Sequence, residues 1–254
     1  MTTTISSLML DTARLITTVL ESTATSGTTT TIGDTNLTAS TGTYNGGTAW
    51  LLSGSMAGQY VPVKTNGVNT LTLAGTLSGS VIAGTQYAVA DAQFPTWDLK
   101  QAVTQVLHRT DIPASGSAVA VAGIATLPTG ASNIKRVYDS TKKENMHWTE
   151  MDGAVRFDSL SVAGNITFDY LMPADLDPNL ATAIDEAIDP NYVAWGAAAF
   201  LWRQLIQRIH KDDPTASDML NEAKTNEMQA LQQQRRYNPR NLPRSPHYSR
   251  WTLT

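Results

Sequence analysis

Cysteine is absent from the 254 residues, which removes disulfides, thiolate metal sites and cysteine nucleophiles from consideration. Histidine is scarce: His108, His147, His210 and His247 stand in separate stretches. None has a second ligand at the spacing of a metal-binding helix or hairpin, so no metal or cofactor is expected. The chain also lacks a Gly-Lys-Ser/Thr phosphate loop, a Gly-x-Gly-x-x-Gly turn entering a helix and a Gly-x-Ser-x-Gly elbow. Its longest apolar run, 192–202, falls far short of the ~20 residues a membrane span needs. Met1-Thr2-Thr3-Thr4-Ile5 has no basic n-region leading into an apolar h-region. These absences predict a soluble chain without a membrane partner, and not an enzyme.

Acidic charge is missing from one region only. After Glu227 no Asp or Glu occurs, yet Arg235, Arg236, Arg240, Arg244 and Arg250 lie there. The other 13 basic residues are set against 22 acidic ones, so an acidic body carries a cationic tail. With 41% hydrophobic residues the body has enough apolar side chain for a buried core.

Between Ser26 and Ala90 only Asp34 and Lys64 are charged, and 11 of the 17 glycines fall there. Runs rich in Thr, Val, Tyr and Leu at 28–32, 48–52, 59–63, 69–73 and 86–89 alternate with Gly-containing turns. That spacing predicts a small antiparallel barrel or sandwich, inserted at 26–91. Helices are predicted at 6–21, 95–109, 178–188, 190–211 and 214–236 from apolar recurrence every three to four residues. Three Asp-Pro pairs begin the last three of these. Asp177, Asp189 and Asp213 are the expected caps, with Pro178, Pro190 and Pro214 at the first helical position. Trp195, Trp202, Leu205 and Ile209 are the expected helical core. Strands are predicted within 117–171, at 118–121, 133–138, 146–149, 154–158 and 165–170. The expected fold is therefore α+β: a helical bundle with a long C-terminal αα-hairpin, a strand region, the inserted β-module and an extended arm. The expected division is 1–25 with 92–236 as body, 26–91 as module and 237–254 as arm.

Carboxylates cluster at Asp175, Asp177, Asp185, Glu186 and Asp189, where a hydrolase would place an acid and a base. Capping and solvation account for them more simply. The arginines of the tail, interleaved with Pro239, Pro243, Pro246, Tyr237, Tyr248 and Trp251, suit docking on an acidic protein surface better than DNA phosphate binding.

Two stretches resemble a known family. One runs from Thr30-Thr31-Ile32-Gly33-Asp34 through Tyr44-Asn45-Gly46-Gly47-Thr48-Ala49-Trp50-Leu51-Leu52 to Gly84-Thr85-Gln86-Tyr87. The other comprises Leu127-Pro128-Thr129-Gly130, Asn133-Ile134-Lys135-Arg136-Val137, Val155-Arg156-Phe157-Asp158 and Ile166-Thr167-Phe168-Asp169-Tyr170-Leu171. Together they resemble the head-to-tail adaptors of tailed-bacteriophage necks. The resemblance implies a virion protein made in the host cytoplasm, forming a homo-oligomeric ring, typically twelve-fold. The ring would sit between the portal protein and a downstream neck or tail protein and serve genome ejection. Double-stranded DNA would pass through its channel without sequence-specific contacts. The implied portal-binding arm comprises Arg235, Arg236, Tyr237, Arg240, Arg244, Tyr248 and Trp251. The competing reading is a tail-tip or fibre component whose β-module binds a host surface or another tail protein.

Overall fold

The computed structural model describes residues 3–127, 131–138, 147–151, 153–158, 162–173, 188–209 and 216–238. These form two compact units, one drawn from Met1–Leu107 and Leu176–Asn238, the other from His108–Asp175.

In the first unit, helix α1 (Ile5–Ile16) opens with a reciprocal cap. The Ser7 amide donates to Thr4 Oγ1 at 3.2 Å, and the Thr4 amide donates to Ser7 Oγ at 2.9 Å. Leu8, Met9, Ala13 and Ile16 form its buried face, and the buried Thr12 hydroxyl donates to the Leu8 carbonyl at 2.7 Å. The expected helix to residue 21 is corrected here. Thr17 is extended, and Val19–Thr23 is strand β1. The run Thr17-Thr18-Val19 is β-branched, which disfavours another helical turn and suits a strand.

Six more strands follow: β2 (Ser26–Gly27), β3 (Thr31–Gly33), β4 (Thr48–Leu51), β5 (Tyr60–Gly67), β6 (Thr70–Leu73) and β7 (Gln86–Ala90). They make one antiparallel sheet in the order β1-β7-β4-β5-β6-β3-β2. The two ends of that order are consecutive in the chain. Ala24 donates its amide to Thr85 on the β7 side at 2.8 Å, and Thr25 donates to Gly33 on the β3 side at 2.8 Å. Ile32, Leu37, Ala49, Leu51, Val61, Val63, Leu71, Tyr87 and Val89 are buried in one cluster inside this sheet. Gly47 lies so close to the Ala90 carbonyl that no Cβ fits between them.

Helix α2 (Thr96–His108) follows, then α3 (Pro190–Arg208) and α4 (Ala216–Arg236). The first half of α3 is apolar on every side, and it packs against both α1 and α4. Ala216, Ala223 and Ala230 are the buried residues of α4. Their seven-residue spacing makes a narrow small-residue seam along one face. Opposite it, Gly196 leaves room for Gln234, and a Cβ there would also crowd Val106.

The second unit holds β8 (Asp111–Ala120), β9 (Ile124–Thr126), β10 (Ser132–Tyr138), β11 (Trp148–Met151), β12 (Ala154–Phe157) and β13 (Gly164–Pro173). Two antiparallel sheets result, β10-β13-β8 and β11-β12-β9. They share one core built from Ala120, Ala125, Ile134, Val137, Val155, Phe157, Ile166, Phe168 and Tyr170.

The expected fold class is therefore overturned. Among the described residues there are four α-helices and thirteen strands in three antiparallel sheets, the largest of seven strands. A helical bundle carrying a small inserted barrel does not describe this chain. Strands extend beyond the runs that sequence periodicity marks, because ladder pairing recruits neighbours such as Val19–Thr23 and Asp111–Ser117. Of the predicted helix at 178–188, residues 178–187 lie outside the described residues and Ile188 is a buried bend before α3.

Trp202 joins α3 to the sheet-to-helix connection, its ring edge-on to Phe94 with centroids 5.5 Å apart and planes at 82°. It is 9% exposed. Trp202→Ala is expected to destabilise the protein by about 3–5 kcal/mol in urea titration, the range for emptying a large buried aromatic site. A loss under about 1 kcal/mol would show that α3 does not depend on this contact.

Candidate functional site

The residue types singled out for docking begin at the end of α4, so the orientation of that helix decides what they can reach. Besides its alanine seam, α4 is tied to α3 by an ion pair. Arg203 Nε donates to Glu227 Oε1 at 2.7 Å, with the Glu227 side chain largely covered. Glu227 is the last acidic residue before Thr254. Its charge is thus engaged within the body, on the side of α4 that meets α3. Further along, α3 is held to α2 by Arg208 Nη1 donating to the mostly buried Asp98 Oδ2 at 2.8 Å. That bond is the first cause holding the Arg208 guanidinium in its charged form, above its ordinary value, against the opposing effect of desolvation.

Arg235, Arg236 and Tyr237 emerge from this framework exposed to solvent. The two arginines occupy the last turn of α4, where unpaired carbonyls favour positive charge. The Tyr237 amide closes the helix on the Gln234 carbonyl at 3.1 Å. Arg240, Arg244, Tyr248 and Trp251 lie outside the described residues, as do the expected caps Asp177 and Asp213. Asp189 caps α3, accepting from the Asn191 amide at 2.8 Å, with Pro190 at the first helical position. Of the expected helical core, Trp202 is buried, while Trp195, Leu205 and Ile209 are half-buried. The deeper face of α3 is Val193, Ala194, Ala197, Ala198 and Leu201. Small residues there bring neighbouring helices close and leave the larger side chains at the margin.

Sequence reasoning missed one polar centre. Asp34 is 1% exposed inside the seven-stranded sheet. Its carboxylate accepts from Ser22 Oγ at 2.6 Å, Tyr87 Oη at 2.8 Å and the Asn36 amide at 2.8 Å. Burial pushes the Asp34 carboxyl up, but the bonds from Ser22, the Asn36 amide and Tyr87 outweigh it and hold the group below its ordinary value. Burial, and then the same bond to Asp34, push the Tyr87 phenol well above its ordinary range. With three donors committed, Asp34 is a structural anion joining β1, β7 and the turn after β3. The signal available in sequence was its isolation as the only acid between Ser26 and Ala90.

Among the described residues, no group of three His, Asp or Glu side chains converges as a metal site. No described helix is long and apolar enough to cross a membrane. Of the acidic cluster read from sequence, Asp175, Asp177, Asp185 and Glu186 lie outside the described residues. Comparison with protein-family models finds no match, and comparison with curated proteins finds no significant relative.

Because the folded-state pKa of Asp34 is depressed, its contribution to stability is complete above the usual carboxylate range of about 4. It is lost as pH falls through the lower folded value. The urea midpoint is therefore expected to drop more steeply below about pH 4 in the native chain than in Asp34→Asn. At neutral pH, Tyr87→Phe should cost about 1.5–3 kcal/mol, the scale of a hydrogen bond to a charged group. Parallel pH profiles for native protein and Asp34→Asn would remove Asp34 as the source.

Proposed function

We propose that this chain is a non-enzymatic structural subunit of a tailed-bacteriophage neck, forming a ring that joins the portal to the tail and continues the DNA channel. The observation that carries the reading is the arrangement at the end of α4. Arg235, Arg236 and Tyr237 are exposed there, at the root of a segment rich in arginine, proline and aromatics. A cationic segment on an acidic body suits docking to carboxylates of another protein.

In this reading Arg235, Arg236, Arg240 and Arg244 pair with portal carboxylates, whose geometry a guanidinium matches with two parallel bonds. Tyr237, Tyr248 and Trp251 supply apolar anchors. Pro239, Pro243 and Pro246 restrict the unbound segment, lowering the entropy lost on ordering. Repetition around a ring makes a weak single contact sufficient through avidity. The opposite face of the ring would meet a downstream neck or tail protein, and DNA would pass without sequence-specific contact.

A second reading is a tail-tip or fibre component. The observation favouring it is the exposure of Val68 (73%) and Ile82 (68%) on connections of the seven-stranded sheet, where each could meet another surface. The two readings separate on one experiment. Truncation after Gln234 is expected to leave a folded body, judged by circular dichroism and thermal unfolding, and to abolish recruitment to portal-bearing heads. Normal recruitment of the truncated chain would exclude the segment as the attachment. Binding of the intact chain to host envelopes but not to heads would favour the fibre reading.

A further inference from the structure

We propose that the tip of the β8–β9 hairpin dips into a zwitterionic phospholipid surface, with Val119, Val121 and Ile124 among the acyl chains and Arg156 and Asp158 at the headgroups.

The tip belongs to a long run without charge. From Ile112 to Ile134 the chain has no Asp, Glu, Lys, Arg or His. β8 turns back into β9 through Ala122-Gly123. The Val121 amide donates to the Ile124 carbonyl at 2.9 Å, and the Ile124 amide donates to the Val121 carbonyl at 3.0 Å. Val119 and Val121 alternate with Ala120 and so share a face. Residues directly opposed across a ladder also share one. That face therefore passes from Val121 to Ile124, and from Ile124 to Arg156 of β12. Ala120 and Ala125, on the other face, are buried in the core. Val119, Val121 and Ile124 are 61%, 69% and 49% exposed. One such side chain on a surface is ordinary, whereas three in a file mark a contact.

Two features of the turn suit an apolar medium better than water. The first is its backbone, since an unpaired peptide group is costly in lipid. Gly123 donates to the Val162 carbonyl at 3.1 Å and accepts from the Phe157 amide at 2.8 Å. Val121, Gly123 and Ile124 thus have both amide and carbonyl paired. The second is Ala122, whose φ is 49°. Both central residues of a tight hairpin turn of this kind have positive φ, and the usual choice is Asn or Asp before Gly. The chain has Asn-Gly at 45–46 and at 66–67. Among the described residues, every other positive φ falls on glycine or on Asn69. At 122 an alanine takes the strain, and no polar side chain stands at the tip.

The composition of the tip favours lipid over a protein groove. Protein interfaces are anchored mainly by Trp, Tyr and Arg, with Val under-represented, and 119–126 holds no aromatic residue. Aliphatic side chains gain from any dry apolar layer, without directional partners. The charges beside the tip select the headgroup. Arg156, level with Ile124, is exposed and has no carboxylate partner among the described residues. Asp158 follows two positions later, its carboxylate exposed and 3.9 Å from His147 Nδ1. An anionic surface attracts the first and repels the second. A headgroup carrying both phosphate and ammonium serves both. A hairpin tip enters only the outer layer of a membrane, so no spanning helix is needed.

The test is flotation of the full chain through a density gradient with vesicles of phosphatidylcholine and phosphatidylethanolamine. The chain should float, and adding phosphatidylglycerol should not strengthen binding. Val121→Ser combined with Ile124→Ser should weaken binding roughly tenfold or more, with circular dichroism and urea midpoint near native. Ala122→Asn separates the roles, because Asn suits the turn. Its urea midpoint should hold or rise while vesicle binding weakens, whereas a merely structural tip would move both together. Because the chain has no cysteine, a polarity-sensitive dye on Val121→Cys reports insertion. Its emission should shift to the blue with vesicles, and the same dye on Val68→Cys should not respond. Failure to float with any vesicle overturns the proposal, as does flotation that the double serine variant leaves intact. Flotation confined to anionic vesicles and lost at high salt also overturns it, and moves the contact to Arg235 and Arg236. A blue shift at Val121 that grows with protein concentration, without lipid, assigns the tip to a protein groove and overturns the lipid.

Discussion

Backbone amides and carbonyls in a sheet have to be paired or covered, and in the seven-stranded sheet one segment serves both ends of the strand order. β1 completes the ladder of β7, and two residues later β2 completes that of β3. The crossing at Ala24-Thr25 fixes the remainder of this unit. It places Ser22 against Asp34 and positions Tyr87 to donate to the same carboxylate. Val19 paired with Ala90 brings the start of the sheet beside its end, where Thr17 donates to Asp91. A second polar centre braces the far side. Asn66 accepts from the Tyr44 amide, donates to the Ser40 carbonyl and gives its own amide to Asn45, so the loop before β4 is held by one buried side chain.

The helices of this unit follow a different rule. α3 is too apolar to present a single face, and it is enclosed by partners on several sides. Their approach is set by small residues, Gly196, Ala197 and Ala198 on α3 and the alanine seam of α4. Close packing of that kind gives dispersion contact but little side-chain interlock. The ion pairs Arg203–Glu227 and Arg208–Asp98 fix the register that alanines leave loose. The carboxylates of both pairs are more covered than the guanidiniums, so removing either arginine leaves a costlier orphan than removing the acid.

Strong local patterns were legible in the sequence. The runs at 48–52, 59–63, 69–73 and 86–89 correspond to β4, β5, β6 and β7, because alternation and Gly-rich turns agree there. Asp189-Pro190 marks the start of α3 for a stereochemical reason that holds in any context. The first part of β8 was not legible: after Ile112, Pro-Ala-Ser-Gly-Ser has little strand propensity and is extended because β13 pairs with it along its whole length. β1 was misread because Val19 and Leu20 fall in phase with the apolar spacing of α1. The fold class was misread for a different reason: ladder partners carry much of the strand content and leave little local trace. Asp34 stood out as a lone acid, but Tyr87 lies 53 positions away in the chain, and no local pattern links them.

The contrast between the two units bears on how the chain is used. In the first, the same segment meets both ends of the sheet, so its ladder asks for little from outside. In the second, three edges are shortened, bulged or charged, and β8 is none of these. A strand edge that is uncharged from Ile112 to Ala120 is a hazard for any protein at high concentration, because it pairs with whatever strand arrives. The Ala and Gly residues on its inner face make the same point from the side of packing. They leave the core margin thin beside β8, with Ala114 and Ala118 only partly covered.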